Sequence, residues 1–426
     1  LPDAIPVFNS MNNSETAVLS LSDIQEARNR LSKAIVQTPC AESIALSELT
    51  GCHVFCKREY QQRTGSFKER GARNALALLS QADAKHGVIA ASAGNHALGL
   101  AWHGRAMGIP VTVVMPRFAP LVKVSTCRRF GARVILKGDT YDEAKAHAQK
   151  LSEEEKLTFV HPFDDPHVIA GQGTLALEIL DQVPDIEAVV VPVGGGGLLA
   201  GTATALRALK PGIIIIGVEP ESASCFAAGI KAGEPVTIKT QATLADGLAV
   251  ARAGNVTLSI AGPLVDRVIS VSEDLLALAI LRLAELEKAV VEGAGAAPLA
   301  ALLGGELPEL VGKRVALVLS GGNIDPIAHS RVIEKGLAAD GRIYRFDAQI
   351  SDRPGALAHL SSILASAGAN ITEIVHNRTF AGPSISTVHV LCTVETRDRE
   401  HIMEVNRKLG EEGVLLSTVD GPIGWF

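Results

Sequence analysis

A repeated change of hydrophobic rhythm restricts this chain more than any other feature. Val88–Ala91, Val111–Met115, Val134–Leu136, Val189–Val193, Ile213–Val218 and Val315–Leu319 are short runs rich in β-branched residues. Each is apolar on both faces, as strands buried in a parallel sheet are. Ala/Leu-rich stretches such as Leu175–Gln182 and Leu275–Lys288 lie between them and suit helices. Strand, helix, strand repetition over residues 17–330 predicts an α/β fold with a mostly parallel sheet. Residues 1–16 lack the rhythm and read as a disordered leader.

The rhythm changes near residue 330. Residues 331–341 read as a linker ending in Asp340-Gly341. After it, Tyr344, Phe346, Ala348 and Ile350 alternate with Arg345, Asp347 and Gln349, the mark of a strand with one wet face. Leu357, Leu360, Ile363 and Leu364 fit one helix face, with Gly368 at its end. Ile371–Val375 and Val388–Val394 read as strands, Ile402, Val405 and Leu409 as a helix, and Val414–Val419 as a last strand. Residues 342–426 are thus expected to form β-α-β-β-α-β, a ferredoxin-like unit.

Charge and composition narrow the function. The net charge is -6 and no long basic block occurs, which argues against nucleic acid as a partner. No apolar run reaches the roughly 18 residues of a membrane span. Six scattered cysteines form no disulfide framework, so the expected compartment is cytoplasmic. Cys52 and Cys56 flank His53, but no second ligand cluster follows, and buried thiols are the simpler reading than zinc.

Four motifs carry chemistry. In the first, the apolar run from Val189 passes into Gly194-Gly195-Gly196-Gly197-Leu198. Consecutive amides without Cβ atoms, opening a helix, can wrap a phosphate. A tight turn is the alternative, but it rarely needs four glycines. Neither the P-loop pattern nor the dinucleotide fingerprint is present. The second is Thr64-Gly65-Ser66-Phe67-Lys68-Glu69-Arg70-Gly71, whose lysine is either a surface residue or a Schiff-base amine. The third, Ser92-Ala93-Gly94-Asn95-His96, follows a strand and offers backbone donors to a carboxylate. The fourth is Ser320-Gly321-Gly322-Asn323, after the last long strand.

Together, and in this order, these motifs resemble the fold-type II pyridoxal-phosphate (PLP) enzymes, the tryptophan-synthase β-like family. Within it the threonine dehydratases are most similar and serine racemases a near relative. His161-Pro-Phe-Asp-Asp-Pro166, Ala170-Gly-Gln-Gly-Thr174 and Leu244-Ala-Asp-Gly247 add to the resemblance, and residues 342–426 resemble an ACT domain. The implied fold is two parallel-sheet α/β subdomains followed by the ACT domain. The implied reaction is loss of water and ammonia from L-threonine, and also L-serine, giving a 2-oxo acid. By resemblance Lys68, with Phe67 beside it, carries PLP and then removes the Cα proton. Asn95 bonds the cofactor's 3-oxygen, residues Gly194, Gly195, Gly196, Gly197 and Leu198 hold its phosphate, and Ser320 faces its ring nitrogen. Ser92, Ala93, Gly94, Asn95 and His96 bind the substrate carboxylate.

Ala93 stands where the racemases carry a proton-donating serine, which favours elimination over racemisation. Those relatives also bind a divalent cation; here Glu219 and the Ala223 carbonyl match, but Cys225 replaces a carboxylate, which disfavours a metal. In the ACT-like unit, Asp352, Arg353 and Gly355 at a helix start, with Asn370 and Ile371, are expected to bind an amino-acid effector, isoleucine or valine first. Relatives imply a homodimer or homotetramer. The rival readings are serine racemase, hydroxyaspartate ammonia-lyase, a cysteine-forming synthase and a non-catalytic amino-acid sensor.

Overall fold

The computed structural model describes residues 19–377 and 386–417, so the expected leader lies outside the described residues. The chain divides into two compact units, Leu1–Asp325 and Pro326–Phe426.

The first unit holds two sheets. The larger runs Cys40–Glu42, His53–Lys57, Arg314–Val318, Ala188–Pro192, Ile214–Pro220, Arg267–Val271. Only the pairing of Cys40–Glu42 with its neighbour is antiparallel. The smaller runs Arg133–Leu136, Val111–Met115, Val88–Ala91, Thr158–Phe159 and is parallel throughout. Val88–Ala91, Val111–Met115 and Ala188–Pro192 are buried at every position, as their two-sided apolar pattern demands. His53–Lys57, which sequence reading missed, is an interior strand whose polar ends His53 and Lys57 leave only three apolar residues, and the other missed strands are edges or very short. Arg267–Val271 has an exposed end, and Thr158–Phe159 has two residues. A pattern needs more length than that to be seen.

Helix packing explains the Ala-Gly-Gln-Gly-Thr motif. It lies in helix Pro166–Gln182, which Asp165 caps by accepting from the His167 and Val168 amides. A Cβ on Gly171 would sit 2.6 Å from the Arg70 carbonyl, so the backbones of this helix and of Lys68–Ala77 touch. Behind Lys68–Ala77 four charged groups are buried together. Arg70 pairs with Glu59 and Glu178 at 2.7 Å each, and Lys57 reaches Glu178 at 2.5 Å. Burial pushes the Glu59 carboxyl up, but the Arg70 guanidinium, with Lys57 and the Thr38 hydroxyl, outweighs it and holds Glu59 below its usual range.

The second unit has one antiparallel sheet, ordered Asn370–Asn377, Thr387–Glu395, Ile343–Ser351, Leu415–Ser417. Helices Ala356–Ala367 and Arg399–Glu411 supply Leu360, Leu364, Val405 and Leu409 to a core with Phe346, Val390 and Cys392. The order is ferredoxin-like, and Gly368 ends its helix with φ 80°. One expectation needs correcting. Most of residues 331–341, read as a linker, belong to helix Pro326–Ala339 within this unit. Val332 and Gly336 are buried there, an i, i+4 spacing that two residues alone do not reveal.

Candidate functional site

The motifs meet where parallel strands end. Val88–Ala91 leads to Asn95, Ala188–Pro192 to the glycine run and Arg314–Val318 to Ser320, so all three loops leave the carboxyl ends of strands, the usual ligand side of such sheets. Backbone bonds stitch the lysine loop to this edge. Phe67 N–H donates to Ser320 O at 3.0 Å and Gly322 N–H to Gly65 O at 2.9 Å.

Lys68 is the first residue of helix Lys68–Ala77. Its Nζ donates to the Pro162 carbonyl at 2.7 Å and lies 5.2 Å from the Phe67 ring centre. Burial lowers its pKa to about 8, with the Glu292 carboxylate opposing the shift. Some of its surface stays exposed, but the surrounding protein still removes most of the ammonium's solvation. Such an amine has a useful neutral fraction near neutral pH, which a nucleophile or base requires.

The glycine run has little spare room on its far side. Gly196 has φ 93° and opens helix Gly197–Leu209. A Cβ on Gly195 would overlap the Phe163 ring, and one on Gly196 would lie 2.8 Å from Thr257 Oγ1. Thr257 Oγ1 itself donates to Gly195 O at 2.6 Å. Asp164 secures that support, accepting from the amides of Asn255, Val256 and Thr257. The loop's carbonyl side is thus tied down, and the first-turn amides of the helix have no intrahelical acceptor. That arrangement suits a phosphate.

Facing the lysine, Asn95 starts helix Asn95–Met107. Its Nδ2 donates to Glu292 at 2.6 Å, and its Oδ1 accepts from Asn323 Nδ2 at 2.9 Å. Glu292 is buried, and burial followed by the Asp246 carboxylate raises it to about 7. Ser92 Oγ accepts from Gly94 N–H at 3.3 Å, which organises the turn before the helix. His96 is buried and lowered to about 3 by desolvation, so it is neutral. Ser320 is buried beside the lysine loop. The buried Ser66 Oγ, two residues before Lys68, has no hydrogen-bond partner among the described residues, as expected of a group lining a cofactor site.

Phe67, Lys68, Asn95, Ser320 and the glycine run therefore lie at the carboxyl ends of strands from both sheets, with Asn323 joining the Asn95 side to the lysine loop. Sequence reasoning gave no role to Glu292, Phe163 or Asp164. The signal for Glu292 was a lone carboxylate inside the apolar stretch Val290-Val291-Glu292-Gly293-Ala294. Glu219 is otherwise engaged: both its oxygens accept from Phe226 and Ala227 amides, and burial raises it to about 7. Among the described residues no group of three or more His, Cys, Asp or Glu side chains could hold a metal. Cys52 and Cys56 are buried, and His53 between them is exposed.

In the second unit the expected effector residues do not converge within one copy. Asp352, Arg353 and Gly355 follow Ser351, which pairs with Thr387; Asn370 pairs with Glu395 at the other end of that strand. Nine residues of strand separate the two ends, roughly 25 Å. The reading took Asn370 and Ile371 to complete the pocket, but antiparallel pairing carries them away from it.

Known proteins match both units. Residues 31–321 match the model for pyridoxal-phosphate dependent enzymes, and residues 348–411 the ACT domain. The chain belongs to the pyridoxal-phosphate-dependent enzymes. This PLP enzyme is 45% identical over 396 residues to L-threonine ammonia-lyase of Thermotoga maritima and 46% identical over 396 residues to that of Geobacter sulfurreducens. Each match spans 93% of this chain and 98% of the relative. Among solved structures, threonine deaminase isoform 2 from Solanum lycopersicum is 35% identical, with TM-score 0.71 over 79% of this chain and 99% of that one. Serine racemase from Dictyostelium discoideum is 36% identical, with TM-score 0.69 over 72% of this chain and 100% of that one.

Proposed function

We propose that the chain is an L-threonine ammonia-lyase, converting L-threonine to 2-oxobutyrate and ammonia and L-serine to pyruvate. The observation that carries the reading is Lys68, a desolvated amine lowered to about 8 where three strand-end loops meet. PLP, when bound, supplies an electron sink for the pair left at Cα. The chain's own groups do the rest. First-turn amides of Gly197–Leu209 and the glycines before it hold the phosphate. The Asn95 amide addresses the ring's 3-oxygen, and the neutral Ser320 hydroxyl its nitrogen. Amides from Ser92 to His96 orient the substrate carboxylate. Lys68 Nζ takes the Cα proton, and the β-hydroxyl gains a proton and leaves as water, so that the proton taken up at Lys68 balances the one delivered to the leaving oxygen. The released enamine then hydrolyses to the 2-oxo acid and ammonia. Ala93 has no transferable proton, so protonation on the opposite face of Cα lacks a donor at this position.

The ACT domain supports control by an amino acid, with isoleucine or valine the first candidates. The separation of Asp352–Gly355 from Asn370–Ile371 favours an effector site shared between two copies, in a homodimer or homotetramer. Six buried free cysteines support a cytoplasmic setting, and no helix among the described residues is long and apolar enough to cross a membrane.

The test is a 2-oxo acid assay on purified protein with L-threonine, L-serine and hydroxyaspartate, followed by isoleucine titration. Formation of 2-oxobutyrate is expected. D-serine from L-serine without 2-oxo acid would replace the reading with a racemase, and no reaction with any substrate would leave a sensor.

A further inference from the structure

We propose that Asn323 and Glu292 are positioning residues that lock the Asn95 amide in one orientation, its nitrogen and one spare hydrogen offered to the cofactor. The proposal rests on the reading of Asn95 as the partner of the cofactor's 3-oxygen.

The direction of the amide follows from the backbone. The Thr64 carbonyl can only accept, and Asn323 reaches it at 2.7 Å, so the Asn323 atom there is Nδ2. The same Nδ2 reaches Asn95 at 2.9 Å, so the Asn95 atom facing it is the oxygen. Asn95 Nδ2 must then face Glu292, which it meets at 2.6 Å. One Nδ2 hydrogen is used by this bond, and the second meets no other acceptor among the described residues. A flipped amide would set oxygen against carboxylate and nitrogen against nitrogen. The chain from Thr64 through Asn323 and Asn95 to Glu292 therefore sets a donor where the cofactor's oxygen is read to lie. Two further features keep Glu292 in place. Its N–H donates to Gly321 O at 3.0 Å, and Gly321 leaves room for its carboxyl, because a Cβ there would overlap it.

The full-length holoenzyme tests this, with PLP dissociation constants, the absorbance spectrum of bound PLP and apo-protein melting measured together. Glu292→Gln keeps an acceptor for Asn95, and affinity within about threefold of wild type is expected. Asn323→Asp turns the donor into an acceptor and flips the amide. It is expected to weaken PLP binding about tenfold, the scale of one hydrogen bond to a charged group, and to shift the bound-PLP spectrum. The double variant, Asn323→Asp with Glu292→Gln, satisfies the Asn95 and Glu292 end of the flipped chain, since the carboxamide introduced at position 292 can donate to the Asn95 oxygen, while the Thr64 carbonyl stays unpaired as in Asn323→Asp alone. Its melting is expected to rise above that of Asn323→Asp alone while PLP affinity stays low. A merely structural role predicts instead that affinity recovers with melting, and that result overturns the proposal. So does Asn323→Asp binding PLP with wild-type affinity and spectrum. A wild type that takes up no PLP overturns the functional reading as well.

Discussion

Two clusters of polar side chains, one buried and one part-buried, flank the start of helix Lys68–Ala77, and they are held in opposite ways. Lys57, Glu59, Arg70 and Glu178 form a closed set of two cations and two anions, with Thr38 and Thr174 taking remaining bonds. Lys68, Ser66, Asn95 and Glu292 form an open set. Lys68 and Glu292 are shifted toward neutrality by burial, and Ser66 Oγ has no partner among the described residues. Both lie in the same α/β unit. Full compensation makes a charge cluster inert scaffolding, and incomplete compensation leaves groups ready to bind and to exchange protons.

The sharpest break is Lys68→Ala. It should lower 2-oxo acid formation by at least about a thousandfold, since nucleophile and base vanish together. Melting of the apo protein should hardly move, because the closed cluster is intact. Retained turnover would show that another group is the base.

Arg70→Ala should do the reverse. Leaving Glu59 and Glu178 buried without their shared cation costs roughly 3–5 kcal/mol. A large fall in the denaturant midpoint is expected, with near-normal turnover per folded molecule. An unchanged midpoint would mean that water or rearrangement compensates the pair.

The open cluster also predicts a pH dependence. Only the unprotonated amine attacks the cofactor's aldehyde, and the Lys68 pKa is lowered to about 8. Uptake of PLP by the apo protein should therefore slow about tenfold per unit below pH 8 and level off above it. Stopped-flow loading across pH 6–10 measures this, and a rate still rising steeply above pH 9 would place Lys68 in solvent.

The smallest effect expected is for Asp164→Asn, one step behind the glycine run. Its carboxylate caps helix Asn255–Ala261 through three amides. The amide side chain should cost about 1–2 kcal/mol in unfolding, with a slight loss of PLP affinity. A large loss of affinity would place Asp164 in the phosphate site itself.

Much of this was legible in residues. The two-sided apolar runs marked the central strands to within a residue or two, as with Val111–Met115. The alternation from Tyr344 to Ile350 marked the first strand of the second unit. The glycine run and the lysine loop carried their chemistry on their face. Edge strands, the interior strand His53–Lys57 and helix Pro326–Ala339 did not, because an element that is short, half-wet or ended by polar residues leaves too few apolar positions for a period to show.

By itself, the sequence determined the groups that local chemistry identifies: the amides of four glycines, a lysine in a tight turn, an asparagine at a helix start. Those properties belong to neighbouring residues and survive in any context. Only the tertiary structure decided which side chains act on them. Glu292 and Asn323 gain meaning by meeting Asn95, and Asp352 and Asn370 lose their expected meeting through antiparallel pairing. The physical reason is that hydrogen-bond direction and charge compensation depend on distances of a few ångströms between residues far apart in the chain. Those distances are set by sheet order and register, which no single stretch of sequence encodes.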